Sequence, residues 1–120
     1  MLVHREADGQ IEWHETQIDI FFVQSGSATL LVGGTYLNGE TVAPHEKRNG
    51  PIQGGTRQKL SAGDIVRIPV RIPHQVLLEG AHEFTYLVVK VKRYEGTSPP
   101  RRVSDRRIRN LCMRLRIFLA

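Results

Sequence analysis

Short apolar runs, separated by turn-forming residues, follow one another along most of this chain of 120 residues. Isoleucine, valine and phenylalanine dominate these runs, and glycine, proline or serine stand between them. Many short strands with turns at short intervals are typical of a β-sandwich or barrel, so we predict an all-β fold. The predicted extended segments are residues 2–6, 11–14, 18–24, 28–32, 35–42, 56–60, 65–68, 74–79 and 84–92.

Turn-forming residues predict how these strands connect. The dipeptide Asp8-Gly9 is the signature of a tight hairpin and predicts that residues 11–14 return alongside residues 2–6. The tripeptide Ser25-Gly26-Ser27 predicts a turn, and the polar stretch 43–55 predicts an irregular loop. The chain has neither an internal repeat nor an alternation of strands with helices, so it does not indicate a parallel α/β sheet.

The formal net charge of +5 is concentrated at the C-terminal end of the chain. Residues 1–93 contain ten Lys or Arg and ten Asp or Glu, whereas residues 94–120 contain seven Arg and two acidic residues. The composition therefore predicts a neutral barrel over residues 1–93 and an arginine-rich linker and tail over residues 94–120. Because a neutral barrel offers no extended basic surface, we expect no nucleic-acid role for it.

The tail has the pattern of a short amphipathic helix. Pro99 and Pro100 prevent helix in the linker, and Ser104 is a suitable N-cap. We expect the apolar face to pack on the barrel or on a partner subunit, or the segment to be disordered. The alternative is that its arginines bind nucleic acid or an anionic membrane surface. The residues on the apolar face are Ile108, Leu111, Cys112, Leu115 and Phe118.

Three absences narrow the class of protein. The single cysteine, Cys112, excludes an internal disulfide and a cysteine-rich zinc cluster. No apolar run reaches the roughly 18 residues of a membrane span. Charged residues interrupt the N-terminal segment where a signal peptide would be apolar. We therefore expect a cytoplasmic protein without membrane attachment.

Two histidines and two carboxylates are candidate metal ligands. Glu12 and His14 are two residues apart on a predicted strand, so their side chains point to the same face. Asp19 lies inside the apolar run 18–24, where burying an unpaired carboxylate would be costly. His74 begins a strand in the other half of the domain. Imidazole and carboxylate groups that converge inside a barrel suit a divalent metal such as Fe, Mn, Ni, Cu or Zn.

The spacing of these residues resembles the first metal-binding motif of the cupin superfamily. In that motif, His-x-His is followed by Glu and then, after six further residues, by Gly. Glu12, His14, Asp19 and Gly26 occupy these positions, with Glu12 in place of the first His and Asp19 in place of Glu.

The second cupin motif, of the form Gly-(x)5-Pro-x-Gly-(x)2-His, is similar to the segment that contains Gly63, Pro69 and His74. The resemblance covers about residues 1–92. Three further positions depart from the family pattern, and they are Glu6 in place of the opening Gly, Arg71 in place of a Gly and Leu78 in place of an Asn.

This resemblance implies a double-stranded β-helix, or jelly-roll barrel, with a divalent metal held inside it. It implies that His14, Asp19 and His74 are the ligands, with Glu12 as a fourth ligand or at the rim. It also implies a small-molecule ligand and a homodimer. Two functions stay open: a metal-dependent enzyme of oxygenase or isomerase type, and a non-catalytic ligand-binding or structural module.

The remaining notable side chains have simpler interpretations. Trp13 alternates with its neighbours Glu12 and His14, so we predict that it faces away from the metal. The histidines predicted to lie on the surface are His4, His45 and His82. The aromatic residues predicted to form core or pocket wall are Phe21, Phe22, Tyr36, Phe84 and Tyr86. Four basic residues are predicted to be solvated or, alternatively, to face inward and bind an anionic substrate: Arg57, Arg67, Lys90 and Lys92.

Overall fold

A computed structural model describes residues 1–93, and this part of the chain contains eleven β-strands and no helix. The all-β prediction is therefore confirmed for the described residues, which also contain no helix that could span a membrane. The predicted tail helix lies outside the described residues. The strands are β1 (Leu2–Arg5), β2 (Glu12–His14), β3 (Gln17–Val32), β4 (Thr35–Tyr36), β5 (Glu40–Ala43), β6 (Glu46–Arg48), β7 (Ile52–Gln53), β8 (Thr56–Ser61), β9 (Ile65–Ile68), β10 (His74–Leu77) and β11 (Phe84–Lys92).

Nine of these strands form one antiparallel sheet, curled into a half-barrel. Its order is β1-β11-β3-β10-β2-β6-β5, and β8 and β9 also pair with β3. The strands β4 and β7 form a separate two-stranded sheet. Most neighbours in the main sheet are distant in sequence, so the fold is built from non-local pairing.

The long strand β3 joins the two parts of the half-barrel. Its first part pairs with β11 and β9, and its second part pairs with β10 and β8. The predicted turn at residues 25–27 is wrong, because the strand continues through Gly26. Gly26 has a φ of 76°, and a Cβ there would overlap the carbonyl oxygen of Glu83. Glycine thus lets the strand bend at this point without ending.

The predicted N-terminal hairpin is also wrong. The strand β1 pairs with β11, whereas β2 pairs with β10 and β6. The connecting segment instead makes hydrogen bonds to β10 and to the residue that follows it. The Gly9 amide donates to the Val76 carbonyl oxygen at 2.8 Å, and Asp8 Oδ1 accepts from the Leu78 amide at 2.8 Å. Asp8-Gly9 therefore redirects the chain between two separate places in the sheet.

The stretch 43–55, predicted to be an irregular loop, contains two strands. The strand β6 forms a hairpin with β5 through the turn at Pro44 and His45, where His45 has a φ of 64°. The other edge of β6 pairs with β2. This pairing places charged side chains of β6 beside the candidate ligands on β2.

The apolar core lies on the inner face of the curled sheet. Along β3, Asp19, Phe21 and Val23 share that face because side chains alternate along a strand. Along β10, His74 shares it with Val76. The candidate ligands therefore continue the same inner face as the core. The core residues are Phe21, Val23, Ala28, Leu30, Val32, Leu60, Val66, Ile68, Val76, Leu78, Phe84, Tyr86 and Val88.

Candidate metal centre

Strand register brings the four candidate ligands together. His74 on β10 lies opposite Glu12 on β2, and His14 follows two residues later on the same face of β2. Asp19 reaches the same place from β3, where it lies opposite Lys90 on β11. Four side chains from three strands thus converge at one point inside the half-barrel.

The distances among these side chains are short. Asp19 Oδ2 lies 3.1 Å from His14 Nε2 and 3.4 Å from His74 Nε2. Glu12 Oε1 lies 3.9 Å from His14 Nε2, and potential ligand atoms of Glu12, His14 and His74 all lie within 4.8 Å of one another. The two imidazole rings have centroids 5.4 Å apart.

Three of the four residues are removed from water. The exposed fraction is 4% for His14, 3% for Asp19 and 1% for His74, while Glu12 is partly exposed. Burying polar groups costs free energy unless hydrogen bonds or charges compensate it. The contacts of each buried group therefore show what the cluster is built to hold.

The Nδ1 atoms of both histidines face hydrogen-bond acceptors. His74 Nδ1 lies 3.1 Å from the Ile72 carbonyl oxygen, and His14 Nδ1 lies 3.2 Å from Glu46 Oε1. A carbonyl oxygen only accepts, so His74 Nδ1 is the donor, and an ionised Glu46 imposes the same tautomer on His14. In the neutral rings, Nε2 then carries the lone pair. Metal-binding histidines are commonly oriented in this way by their second nitrogen.

The Nε2 atoms of both histidines are buried without an aligned hydrogen bond among the described residues. Asp19 Oδ2 is near both of them, but the geometry is not that of a hydrogen bond. In the neutral rings, two nitrogen lone pairs therefore face carboxylate oxygens, whereas a ring that takes a second proton would direct an Nε2–H at Asp19 Oδ2. Such a set of acceptors is satisfied by a shared cation.

Two basic side chains hold the carboxylates from outside the cluster. Lys90 Nζ donates to Asp19 Oδ1 at 2.8 Å, and Arg48 Nη1 forms an ion pair with Glu12 Oε1 at 2.8 Å. Burial alone raises the pKa of Asp19, but the His14, His74 and Lys90 side chains around it outweigh that effect and hold this pKa well below its usual range. Asp19 is therefore a carboxylate at neutral pH, with Oδ2 left toward the histidines.

The donor set fits a transition-metal ion. Two ligands about 2.1 Å from one metal are about 3.0–3.4 Å apart in octahedral or tetrahedral geometry. The distances from Asp19 Oδ2 to the two histidine nitrogens have this size. Glu12 is slightly farther from His14, as expected for a weaker or rim ligand. Imidazole and carboxylate are the ligands that Fe, Mn, Ni, Cu and Zn share.

A cleft of about 420 Å³ opens beside the cluster. The candidate ligands Glu12 and Asp19 form part of its wall. A volume of this size is suitable for a small organic molecule. The other residues that line the cleft are Met1, Leu2, Val3, His4, Arg5, Phe21, Arg48, Tyr86, Val88 and Lys90.

The other sequence predictions near the site have mixed outcomes. Trp13 lies on the opposite face of β2 from the ligands, with Lys47 Nζ 5.2 Å from its ring centroid. His4, His45 and His82 are exposed, as predicted. Lys90 stays partly solvated, with 36% of its side chain exposed, and its Nζ also donates to Asp19, while binding of an anionic substrate by Lys90 stays a prediction.

Sequence reasoning missed Glu46, Arg48 and Arg5. Glu46 and Arg48 belong to the segment predicted to be a loop, so nothing local indicated that they face β2. For Lys90 and Tyr86 the sequence does indicate an inward direction. Side chains alternate along residues 84–92, and this alternation places both residues on the same face as the buried Phe84 and Val88.

Comparison with protein families and with curated proteins gives no match: no protein-family model matches the chain, and no curated protein is significantly similar to it. The strand-rich half-barrel with a His/Glu cluster is compatible with a cupin-like β fold. The function must therefore be argued from the site.

Proposed function

We propose that the protein is a small-molecule cupin that binds a divalent transition metal inside its barrel through His14, Asp19 and His74, with Glu12 as a fourth ligand. The observation that carries this proposal is the pair of buried Nε2 atoms, which have no aligned hydrogen-bond partner while Nδ1 of each ring faces an acceptor. A histidine with only a core role would have both nitrogens satisfied.

The chain's own residues prepare the site in three ways. Glu46 and the Ile72 carbonyl orient the two imidazole rings. Lys90 and Arg48 hold Asp19 and Glu12, which limits the side-chain freedom that metal binding must remove. The adjacent cleft admits a small molecule to the carboxylate side of the cluster. When bound, Fe, Mn, Ni, Cu or Zn would supply Lewis-acid or redox chemistry of the isomerase or oxygenase type.

The alternative is a non-catalytic cupin module that binds its ligand without a metal. It is favoured by the ion pairs, because Lys90 and Arg48 give each carboxylate of the cluster a cation even when no metal is present. In that case the lone pairs of His14 and His74 would remain unsatisfied or take protons. The two functions therefore differ in whether the cluster has measurable metal affinity.

Metal titration of the full chain tests this choice. Protein stripped with a chelator is titrated calorimetrically with Mn²⁺, Ni²⁺ and Zn²⁺, and metal content after purification is measured by mass spectrometry. We expect one equivalent to bind, and we expect His74→Ala and His14→Ala to abolish this binding. His82→Ala is the matched control because His82 is exposed and outside the cluster.

The outcomes separate the two functions clearly. Wild-type binding that survives both substitutions would refute the assignment of the site. Absence of any binding by the folded wild type would favour the metal-free module. His74→Gln, which nearly preserves side-chain volume, replaces His74→Ala if thermal unfolding shows that the alanine variant is not folded.

A further inference from the structure

Arg5 and Tyr86 form a fixed pair on the wall of the cleft. Arg5 Nε donates to the Tyr86 hydroxyl at 3.0 Å across the β1–β11 pairing. The guanidinium also lies over Gly9, where a Cβ would come within 2.9 Å of Arg5 Cζ and 3.1 Å of both terminal nitrogens. Because glycine has no Cβ, this position leaves the space that the guanidinium occupies.

Both members of the pair keep hydrogen-bond donors for a ligand. Within residues 1–93, Arg5 makes no ion pair with a carboxylate, so the terminal nitrogens of its fork are not committed to one. The Tyr86 oxygen accepts from Arg5 and leaves its own proton to donate. Tyr86 is only 2% exposed, and burial raises its pKa, so the phenol stays protonated at neutral pH.

Among the arginine and lysine side chains that line the cleft, Arg5 is the one that makes no ion pair with a carboxylate of residues 1–93, and the ammonium group of Met1, another residue of the wall, adds a second positive charge. Arg48 and Lys90 are paired with Glu12 and Asp19, the two carboxylates in the wall. Arg5 has no such partner there. A divalent metal at the neighbouring cluster would add further positive charge. The cleft therefore favours an anionic ligand electrostatically.

We propose that Arg5 and Tyr86 bind the carboxylate of a small organic acid, which is the substrate class of the metal site. This inference rests on the metal-dependent function proposed above. The planar fork of arginine matches a carboxylate, and the tyrosine hydroxyl adds a third donor. Phe21 and Val88, which also line the cleft, offer an apolar wall to the body of the acid.

Ligand binding to the full chain, loaded with Zn²⁺, tests this inference without relying on activity. Benzoate is the probe, because it combines a carboxylate with an apolar ring. Benzamide is its uncharged counterpart, and inorganic phosphate is an anion without an apolar body. Isothermal titration calorimetry gives each dissociation constant, and the same titrations with Zn²⁺ show whether each variant keeps its metal site.

We expect benzoate to bind at least about tenfold more tightly than benzamide or phosphate, because charge-assisted hydrogen bonds contribute this much. Arg5→Gln should remove that advantage, and Tyr86→Phe should reduce it, while both keep wild-type affinity for Zn²⁺. Lys59→Gln, which removes one exposed positive charge outside the cleft, should bind benzoate like the wild type. If Arg5→Gln is poorly folded, Arg5→Lys keeps the charge, loses the fork and should still weaken benzoate binding.

The results distinguish this inference from the proposed function. If the wild type binds Zn²⁺ but Arg5→Gln binds benzoate equally well, the carboxylate pair is refuted and the metal site stands. Tighter binding of phosphate than of benzoate would refute the organic acid. If the folded wild type binds no metal, the proposed function fails, and the inference about its substrate fails with it.

Discussion

Two regions on the inner face of the half-barrel are equally buried but chemically opposite. The region around Leu30, Leu60 and Phe84, whose side chains are 0% exposed, is predominantly apolar, with Tyr86 packed on Phe84. The region around His14, Asp19 and His74 is buried to a similar degree but consists of polar groups. Apolar burial stabilises the fold, whereas polar burial costs free energy unless it is compensated.

This contrast indicates what each region contributes. A chain of this size needs most of its interior for apolar packing, since net stability is small. The second region uses interior space for groups that do not contribute such packing. The proposed metal site accounts for this use of interior space, and the following predictions test that separation.

The largest effect is expected in the apolar region. Leu30→Ala should lower the free energy of unfolding by about 2–5 kcal/mol, because it removes a buried side chain and leaves a cavity. Urea denaturation followed by circular dichroism measures this change, and Leu2→Ala at an exposed position is the control. The molecules that remain folded should bind metal with unchanged stoichiometry.

A substitution in the polar region should strongly lower metal affinity and only slightly lower the free energy of unfolding. His74→Leu should lower metal affinity by more than about 100-fold, which exceeds the usual effect of residues that only support a ligand. The metal-free variant should lose less stability than Leu30→Ala, since replacing a buried polar group by an apolar one is often tolerated. A loss as large as that of Leu30→Ala would show that the cluster also contributes to folding.

The next effect concerns the residue that orients His14. Glu46→Gln should lower metal affinity by about 10- to 100-fold, because the amide holds the imidazole less firmly and leaves its Nε2 less basic. Competition of each variant with a metal-sensitive dye measures the affinity. Glu6→Gln, at an exposed position, should behave like the wild type. Equal affinities of Glu46→Gln and the wild type would mean that β6 does not support the metal centre.

The smallest effect is expected on benzoate affinity, and it tests whether the position of the Arg5 guanidinium matters. Gly9→Ala keeps every charge but places a methyl group against the guanidinium, which must shift. Benzoate affinity should fall by less than the tenfold expected for Arg5→Gln, and Zn²⁺ affinity should not change. The same calorimetric titrations measure both values. Unchanged benzoate affinity would show that the exact position of the guanidinium is unimportant.

Much of the strand content could be predicted from local patterns. The segments 65–68 and 84–92 coincide with β9 and β11, since alternation and flanking turn residues mark both. The predicted hairpin and the predicted turn at 25–27 failed for a common reason. Turn-forming residues indicate where a chain can bend, but distant strands decide how that bend is used, as Val76 and Glu83 do here.

The expected metal ion, small-molecule ligand and homodimer stay predictions, and so does the arginine-rich tail. For the tail, removal of residues 94–120 and measurement of DNA retention against salt concentration would separate its two interpretations. Binding to DNA should weaken steeply with salt if the arginines neutralise phosphates.

The sequence by itself determined which side chains share a face. The two-residue period of a strand sets side-chain direction locally, so Glu12 with His14 and Tyr86 with Lys90 could be assigned to common faces. Only the tertiary structure decided which strands are neighbours. It set β6 beside β2 and β1 beside β11, and thereby brought Glu46 to His14 and Arg5 to Tyr86. The physical reason is that strand pairing is non-local. The two-residue period fixes which face of each strand is buried, but which strands become neighbours is decided only when the whole sheet closes around its core.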